Sequence, residues 1–249
     1  MEAVAAEPCP PGTGDRSEDG DRKFAPVALP PRPDPDPLLD PLSLAVVAEV
    51  SECGYAAASL AGVLRRAGVT AAEFELRFDD LDDCALDTLE RLIAAFERRV
   101  ARVFNRGPDW RSALRAAAYE SADWLEENPG TAPFAMTEAL RMGNEIARVR
   151  REGLFEFCAA LIESGREAAP DPGSIPAGAS IHAAGSILNL LTHRLLEGAS
   201  VSYHQGARES LYGVMRIYLG PEVAGEELRR PLPARAPRVP AGPLAAGCR

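Results

Sequence analysis

The chain has few of the features that mark exported, membrane-bound or zinc-binding proteins. Its 249 residues include five cysteines, an odd number, spaced too widely for a CxxC pair or a zinc cluster. They are typical of free thiols in a reducing compartment. No apolar run approaches the roughly 18 residues of a membrane span, and residues 1–21 lack the basic start and apolar core of a secretory signal. We therefore expect a cytoplasmic protein without membrane contact.

The sequence also lacks the motifs of the common enzyme and cofactor classes. It contains no GxSxG, P-loop, HExxH or nucleotide-binding glycine fingerprint, and no Cys, His and Asp set spaced for nucleophilic catalysis. The acidic run DDLDD at 79–83 lies where carboxylates favour a helix start, so we interpret it as a helix terminus and not as a metal site. We expect no enzyme activity, no cofactor and no metal.

Lysine is almost absent, because Lys23 is the single lysine among 27 basic residues. The 37 acidic residues bring the formal net charge to −10. This balance argues against unspecific nucleic-acid binding by the whole chain. A local basic face stays possible.

Proline and charge divide the chain into two tails and a central region. Ten of the 22 prolines stand in residues 1–41, and residues 229–249 hold five arginines, five prolines and no acid. Both segments have too little apolar surface to offset the entropy of ordering, so we predict disorder for them. Between them, apolar residues recur at helical spacing without the alternation of strands, which predicts an all-α fold.

The periodicity predicts three short helices followed by six longer ones. Ser59 and Thr70 stand at N-cap positions, and Gly54 and Gly68 end the helices before them. Phe74 and Phe78, four residues apart, are predicted core residues. The predicted helices are 43–53, 60–67, 71–78, 81–104, 109–128, 131–141, 144–168, 177–197 and 205–219.

Residues 45–92 carry the most specific pattern, AVVAEVSECGYAAASLAGVLRRAGVTAAEFELRFDDLDDCALDTLERL. The order of residues resembles the DNA-binding head of TetR/AcrR-family regulators, around Gly54, Tyr55, Ser59, Ala67, Gly68, Val69, Thr70, Phe74 and Phe78. The resemblance implies a helix-turn-helix domain at 42–80 and a helical regulatory and dimerisation domain at 81–228. It further implies a ligand-responsive regulator, a repressor, that binds a double-stranded DNA operator as a homodimer.

The same resemblance implies which residues of the head contact DNA: Ser59, Thr70, Ala71, Ala72, Glu73 and Arg77. Ser59 and Thr70 are equally well explained as helix caps. Eight acids and three arginines between 41 and 84 leave the head at −5, a charge that opposes binding to phosphates. The sequence therefore leaves a second hypothesis open, in which a dimeric ligand-binding or interaction module with this fold has lost DNA binding.

The body is predicted to hold an effector that the sequence does not identify. Polar, aromatic and methionine residues among apolar neighbours are the candidate pocket lining, although plain core packing explains them as well: Trp110, Trp124, Phe134, Met136, Met142, Asn144, Phe157, His182, Asn189 and His193. The last two helices are predicted to pair with their symmetry mates through a second set of apolar residues: Leu188, Leu191, Leu195, Leu211, Met215 and Tyr218.

Overall fold

The computed structural model describes residues 24–27, 40–128, 130–197 and 202–233. These residues form helices and connecting turns, with no strand among them, so the predicted all-α class is confirmed. None of the described helices combines the length and the apolar character needed to cross a membrane. Residues 1–23, 28–39 and 234–249 lie outside the described ranges. The disorder predicted for the two tails concerns mainly these residues.

The head consists of α1 (Pro41–Cys53), α2 (Leu60–Ala67) and α3 (Ala71–Glu75). Each begins at a side-chain cap, because Asp40, Ser59 and Thr70 accept hydrogen bonds from backbone amides of the first turn. Gly68 adopts a left-handed conformation (φ 66°) that turns the chain between α2 and α3. Phe74 and Phe78 are buried as predicted, with ring centroids 5.4 Å apart.

The body contains seven described helices, of which α6 is composite. Residues 131–141 form α6, which is α-helical over Thr131–Pro133, π-helical over Phe134–Glu138 and α-helical again over Ala139–Arg141. The remaining helices are α4 (Leu81–Phe104), α5 (Trp110–Glu127), α7 (Glu145–Glu163), α8 (Ala179–Leu196), α9 (Tyr203–Tyr218) and α10 (Pro221–Arg229).

The predicted helices are all present, with several differences in their bounds. Helix α3 ends at Glu75, three residues before its predicted end, because the chain turns at Leu76 and Arg77. Helix α9 starts at Tyr203, two residues early, after the Ser202 cap. Helix α1 starts two residues early, since Pro41 fits the first helical turn. Helix α7 ends at Glu163 and is followed by a short 3₁₀ turn at Arg166–Ala168. Helix α10 is not predicted at all. The Gly220–Pro221 pair, interpreted as a helix end, is also a helix start, with proline in its first turn.

Two apolar cores hold the molecule together. The junction core joins head and body and includes Val46, Phe74, Leu89 and Phe134. The body core lies farther from the head, around Phe104, Trp110, Met215 and Tyr218. Helices α4, α5 and α7 each contribute residues to the two cores, so these three helices join the head to the rest of the body.

A short N-terminal segment packs on the body. Phe24 is buried, and its ring meets that of Phe104 edge-on with centroids 5.2 Å apart. The backbone amide of Val27 donates to Asn105 Oδ1 (2.9 Å), and Asn105 Nδ2 donates to the Val27 carbonyl (2.8 Å). The proline-rich composition of residues 1–41 did not predict these contacts.

The residues on which the dimer prediction rested are used inside the monomer. Leu211, Met215 and Tyr218 are at most 2 % exposed and belong to the body core. Leu188, Leu191 and Leu195 pack against the junction core. Leu211, Met215 and Tyr218 are therefore not available for a subunit contact, whereas Leu188, Leu191 and Leu195 are half-buried, and pairing through the last two predicted helices stays a prediction.

Candidate functional site

The first turn of α3 is held by a reciprocal cap between Thr70 and Glu73. The Glu73 amide donates to Thr70 Oγ1 (3.3 Å), while Glu73 Oε2 accepts from the Thr70 amide (2.8 Å) and hydroxyl (2.7 Å). These hydrogen bonds lower the pKa of Glu73. Ala71 and Ala72 are exposed beside it. The Glu73 carboxylate is thus occupied by the cap, and it reaches a DNA base only if the cap opens.

Arg77 is tied to the start of α1. Its Nη2 donates to Asp40 Oδ2 at 2.6 Å, and its guanidinium lies 5.0 Å from the centroid of the Phe78 ring. Burial raises the pKa of Asp40, but the hydrogen bonds from Arg77 and the Leu42 amide outweigh it and lower the pKa overall. Arg77 can therefore contact a phosphate only if it shares or breaks its ion pair with Asp40.

A second ion pair joins α1 to α2. Arg66 Nε donates to Glu49 Oε2 at 2.7 Å, and its Nη2 bonds to Glu52. The hydrogen bond from Arg66 lowers the pKa of the buried Glu49 carboxyl. Ser59 caps α2 by accepting from the Gly62 amide (3.1 Å) and donates its hydroxyl to Glu49 Oε1 (3.3 Å). The predicted role of Ser59 at DNA competes with these internal contacts.

Two of the three head arginines are consequently neutralised by carboxylates. Arg65 is exposed and makes no ion pair with any described residue. Leu76, just after α3, is 86 % exposed and is the most exposed large apolar side chain of the described residues. The surface around α3 therefore combines small apolar side chains, one free guanidinium and a capped amide end.

A cavity of about 190 Å³ lies in the body between α5, α7, α8 and α9. Its lining is apolar apart from a few hydroxyls, one thiol and the Arg194 guanidinium. Arg194 Nη2 pairs with Glu209 Oε2 (3.0 Å) and so connects α8 to α9. The lining residues are Phe96, Leu114, Ala117, Ala118, Ser121, Ala122, Leu125, Cys158, Leu161, Ile162, Ile187, Leu188, Leu190, Leu191, Arg194, Ser202, Tyr203, Gly206, Ala207, Ser210, Leu211 and Val214.

A second cavity of about 60 Å³ lies nearer the head. Five side chains line both cavities and separate them: Phe96, Leu125, Cys158, Leu188 and Leu191. The second cavity is completed by Leu92, Ile93, Trp124, Thr131, Ala132, Ala135, Met136 and Leu154. It therefore reaches α4 and α6, the helices nearest the head.

Of the ten residues predicted to line a pocket, Trp124 and Met136 line the second cavity, and Phe157 packs against the body core. None of the other seven lines either cavity. Trp110 is buried in the body core and donates Nε1–H to the Leu161 carbonyl (3.1 Å). Phe134 and Met142 pack in or against the junction core, and Asn144 caps α7 by accepting from the Ile146 amide (2.8 Å). The other three lie on the exposed outer face of α8: His182, Asn189 and His193.

The cavity follows from small side chains that the prediction did not consider. On α5 the lining residues Ala117, Ala118, Ser121 and Ala122 recur at helical spacing, and on α9 Gly206, Ala207 and Ser210 do the same. Small residues on facing helices leave space between them that large neighbours do not fill. Of these seven predicted residues, Trp110, Phe134 and Met142 are large and pack in or against the cores, while the other four lie at a helix cap or on an exposed face, so the position of the first cavity was not predicted.

Helix α6 connects the second cavity to the head. Glu138 Oε2 accepts a hydrogen bond from the Tyr55 amide (2.8 Å), just after α1. A Cβ on Gly130 would lie 2.7 Å from Ser51 Oγ and 3.2 Å from Val47, so the missing side chain allows this close approach to α1. In the described part of the chain, no group of three or more His, Cys, Asp or Glu residues is placed to hold a metal ion.

No family model matches the chain, and no curated protein matches its sequence. Solved structures do match its fold. The fatty acid degradation regulator FadR from Bacillus halodurans is 16 % identical, with a TM-score of 0.61 over 71 % of this chain and 97 % of that one. FadR from Bacillus subtilis, in complex with stearoyl-CoA, is 15 % identical, with a TM-score of 0.57 over 72 % and 97 %.

The reduced form of E. coli NemR is 16 % identical, with a TM-score of 0.54 over 75 % of this chain and 99 % of that one. The described helices and these neighbours agree in architecture. The chain therefore shares the fold of these three structures, and its described residues form a helical head on a larger helical body.

Proposed function

We propose that the chain is a ligand-responsive DNA-binding transcriptional regulator of the TetR/AcrR family, a repressor that acts as a homodimer. One observation carries the proposal: a capped, exposed α3 is joined through α4 and α6 to an apolar cavity in the body. An exposed helix start suits DNA, and a cavity behind it suits an effector. The likeness in fold to the FadR and NemR structures supports the same conclusion.

In this proposal α3 enters the major groove, and the exposed amide end beside Thr70 contacts a phosphate. Ala71, Ala72 and Leu76 supply apolar contacts of the kind that recognise thymine methyl groups. Arg65 and a released Arg77 supply the phosphate charge contacts. Each neutralised phosphate contributes about −0.9 to the slope of the logarithm of the DNA-binding constant against the logarithm of the salt concentration. Two such arginines in each of the two heads therefore give a slope of roughly −4.

Paired variants at one ion pair test DNA binding. Arg77→Ala removes a phosphate contact in each head, so we expect about tenfold weaker binding and a salt slope smaller by about 2. Asp40→Asn keeps the cap of α1, removes an acid and frees Arg77, so we expect tighter binding. The measurement is fluorescence anisotropy on random and promoter-upstream duplexes at low salt.

Opposite shifts in these two variants support a DNA contact. Parallel losses indicate that the ion pair matters only for folding of the head and contradict the contact at Arg77.

A second candidate function is favoured by the paired arginines of the head. With Arg66 held by Glu49 and Glu52, and Arg77 held by Asp40, the head offers little free positive charge. A dimeric ligand-binding or interaction module that has lost DNA binding has this property. A folded dimer that binds no duplex at low salt would establish this alternative.

The effector that fits the first cavity has an apolar body and a polar end. Arg194, at the junction of α8 and α9, is the one charged residue in the lining, and a carboxylate, phosphate or other acceptor on the ligand can replace Glu209 as its partner. The B. subtilis FadR structure holds stearoyl-CoA, a ligand of this general kind. We propose an amphiphile with its polar end at Arg194 and its apolar part inside.

The homodimer is proposed to form through the outer face of α8 together with α9. This face places His182, Asn189 and His193 at its centre, flanked by the exposed apolar side chains of Ile181 and Leu196. Exposed apolar side chains beside polar ones are typical of a subunit contact. The residues predicted as pocket lining on α8 are thereby assigned to the interface.

Ile181→Glu tests this face, since the change places a charge on each side of a twofold contact. We expect the dimer dissociation constant to rise at least about tenfold, because the buried carboxylates lack partners. Leu140→Glu is the control, because Leu140 is comparably exposed (48 % against 54 %) but lies on α6. Light scattering after size exclusion gives the masses. Equal masses for both variants, or a monomeric wild type, contradict the assignment.

A further inference from the structure

We propose that the second cavity is the tail compartment of the ligand site, and that only ligands long enough to enter it release the DNA. The inference rests on the proposed function and adds a length requirement to it. In this scheme shorter amphiphiles occupy the first cavity and bind without effect. Those whose chain passes the shared side chains reach α6 and act on the head.

Volume indicates that the second cavity extends the first one. A protein cavity of about 150 Å³ accommodates a benzene molecule, so the first cavity, at about 190 Å³, holds a ring-sized group or a short chain. The second, at about 60 Å³, is too small to hold such a ligand alone and adds about a third to the volume of the first. It fits the last few carbons of a chain that already fills the first cavity.

The passage between the cavities suits an alkyl chain. Of the five side chains that line both cavities, four are hydrocarbon and the fifth is Cys158. Burial raises the pKa of the Cys158 thiol to about 12, so it stays neutral and behaves as a small apolar group. Leucine and phenylalanine side chains admit a chain by changing rotamer, whereas a charged or bulky polar group in this passage would lose its hydration without a partner.

The far wall of the second cavity is the part of the body that contacts the head. Thr131, Ala132, Ala135 and Met136 of α6 line it. The same helix accepts the Tyr55 amide at Glu138, and the residue just before it, Gly130, lies against α1. A tail that presses on this wall moves α6, and with it the hydrogen bond that fixes the end of α1.

The middle of α6 is the part best able to respond. Its residues Phe134–Glu138 form a π-helical turn, in which the Ala139 amide donates to the Phe134 carbonyl. Such turns hold one residue more than an α-helical turn and are frequent at functional sites. On the opposite wall, Leu92, Ile93 and Phe96 belong to α4, whose earlier residues Ala85 and Leu89 pack in the junction core. Two of the five helices that line the second cavity, α4 and α6, therefore also contact the head.

Trp124 provides a direct reporter of the second cavity. Trp124 lies on α5 and is buried in the lining of the second cavity. Its ring meets the Phe96 ring edge-on, with 5.1 Å between the centroids. The chain has two tryptophans, and the other, Trp110, lies in the body core. A Trp110→Phe variant therefore leaves Trp124 as the single indole signal.

The test uses straight-chain carboxylic acids from hexanoate to tetradecanoate with the Trp110→Phe dimer. Calorimetry measures binding, Trp124 emission measures entry into the second cavity, and anisotropy measures DNA affinity with each acid at saturation. We expect the shortest bound acids to change neither Trp124 emission nor DNA affinity. Beyond a threshold length, both should change together, with DNA affinity falling at least about tenfold.

Failure of the inference is distinct from failure of the proposed function. If acids bind, but the shortest reduce DNA affinity as much as the longest, or Trp124 emission never changes, the length requirement is wrong and the effector site stands. If no acid binds, the inference fails together with the proposed amphiphilic effector, while DNA binding is judged separately by the Arg77→Ala and Asp40→Asn variants.

Ala135→Met gives a second, independent arm, because a methionine side chain fills the small cavity from the α6 wall. Binding of the short acids should be unchanged, while the long acids should lose about tenfold in affinity. Leu140→Met, at an exposed position of the same helix, is the control and should leave both unchanged. Equal affinities of the Ala135→Met and control proteins for the long acids would contradict the tail compartment.

Discussion

Glu227→Ala is expected to lower the free energy of unfolding by about 3–5 kcal/mol, since removing one partner of a buried ion pair leaves uncompensated charge. Glu227 is 1 % exposed on α10 and contacts three arginines. Arg111 and Arg115 of α5 bond to its two carboxylate oxygens, and Arg230 lies 3.4 Å from one of them. Without the carboxylate, two guanidinium groups at the α5–α10 contact lose their shared acceptor.

The neighbouring Glu226→Ala is the matched control. Glu226 pairs with Arg111 at 3.0 Å, but its side chain is 57 % exposed, so its loss should cost no more than about 1 kcal/mol. Urea unfolding followed by far-UV circular dichroism, at one fixed protein concentration, measures both. Indistinguishable midpoints for the two variants would show that Glu227 does not hold α10 in place.

Ala118→Phe is expected to weaken binding of a cavity ligand such as decanoate by about 100-fold or more. Ala118 lines the first cavity from α5, and a phenyl ring there takes up most of its roughly 190 Å³. Because the ring fills space that is already present, thermal stability should be unchanged or slightly higher. Calorimetric titration with decanoate and a thermal melt measure the two effects.

Ala116→Phe, two residues earlier, is the control for this variant. Ala116 is exposed on α5 and lines neither cavity, so its variant should bind decanoate like the wild type. If Ala118→Phe retains wild-type affinity while remaining folded, the ligand binds elsewhere and the cavity has no role in the response.

Local signals in the sequence predicted the head well. Ser59 and Thr70 are caps that act on their own first turns, and Gly68 supplies the left-handed turn, so neighbouring residues alone determine these boundaries. Asp40, the cap of α1, was not predicted, and that helix was therefore placed two residues late. The burial of Phe74 and Phe78 follows from their spacing. What local signals do not give is the pairing of Arg77 with Asp40, 37 residues away. That pairing changes the expected role of Arg77.

The position of the first cavity in the body was not predicted, for a physical reason. Periodicity identifies apolar faces but not which of them meet, and a cavity arises where small residues on two helices face each other. Ala118 and Ala207 are unremarkable in sequence and become informative only when α5 and α9 are side by side. Leu211 and Met215 show the opposite error, because they were predicted to lie at the subunit interface but are buried in the core of one chain.

The central claim is that the body cavity and the head are energetically coupled. It is tested most directly by the affinity of the wild-type dimer for a duplex that it selects from a random pool, with and without saturating dodecanoate. The account predicts at least about a tenfold loss of DNA affinity with the acid, and, by reciprocity, the same factor in dodecanoate affinity when DNA is bound. An unchanged DNA affinity with the cavity filled, or no duplex bound at low salt by a folded dimer, would contradict it.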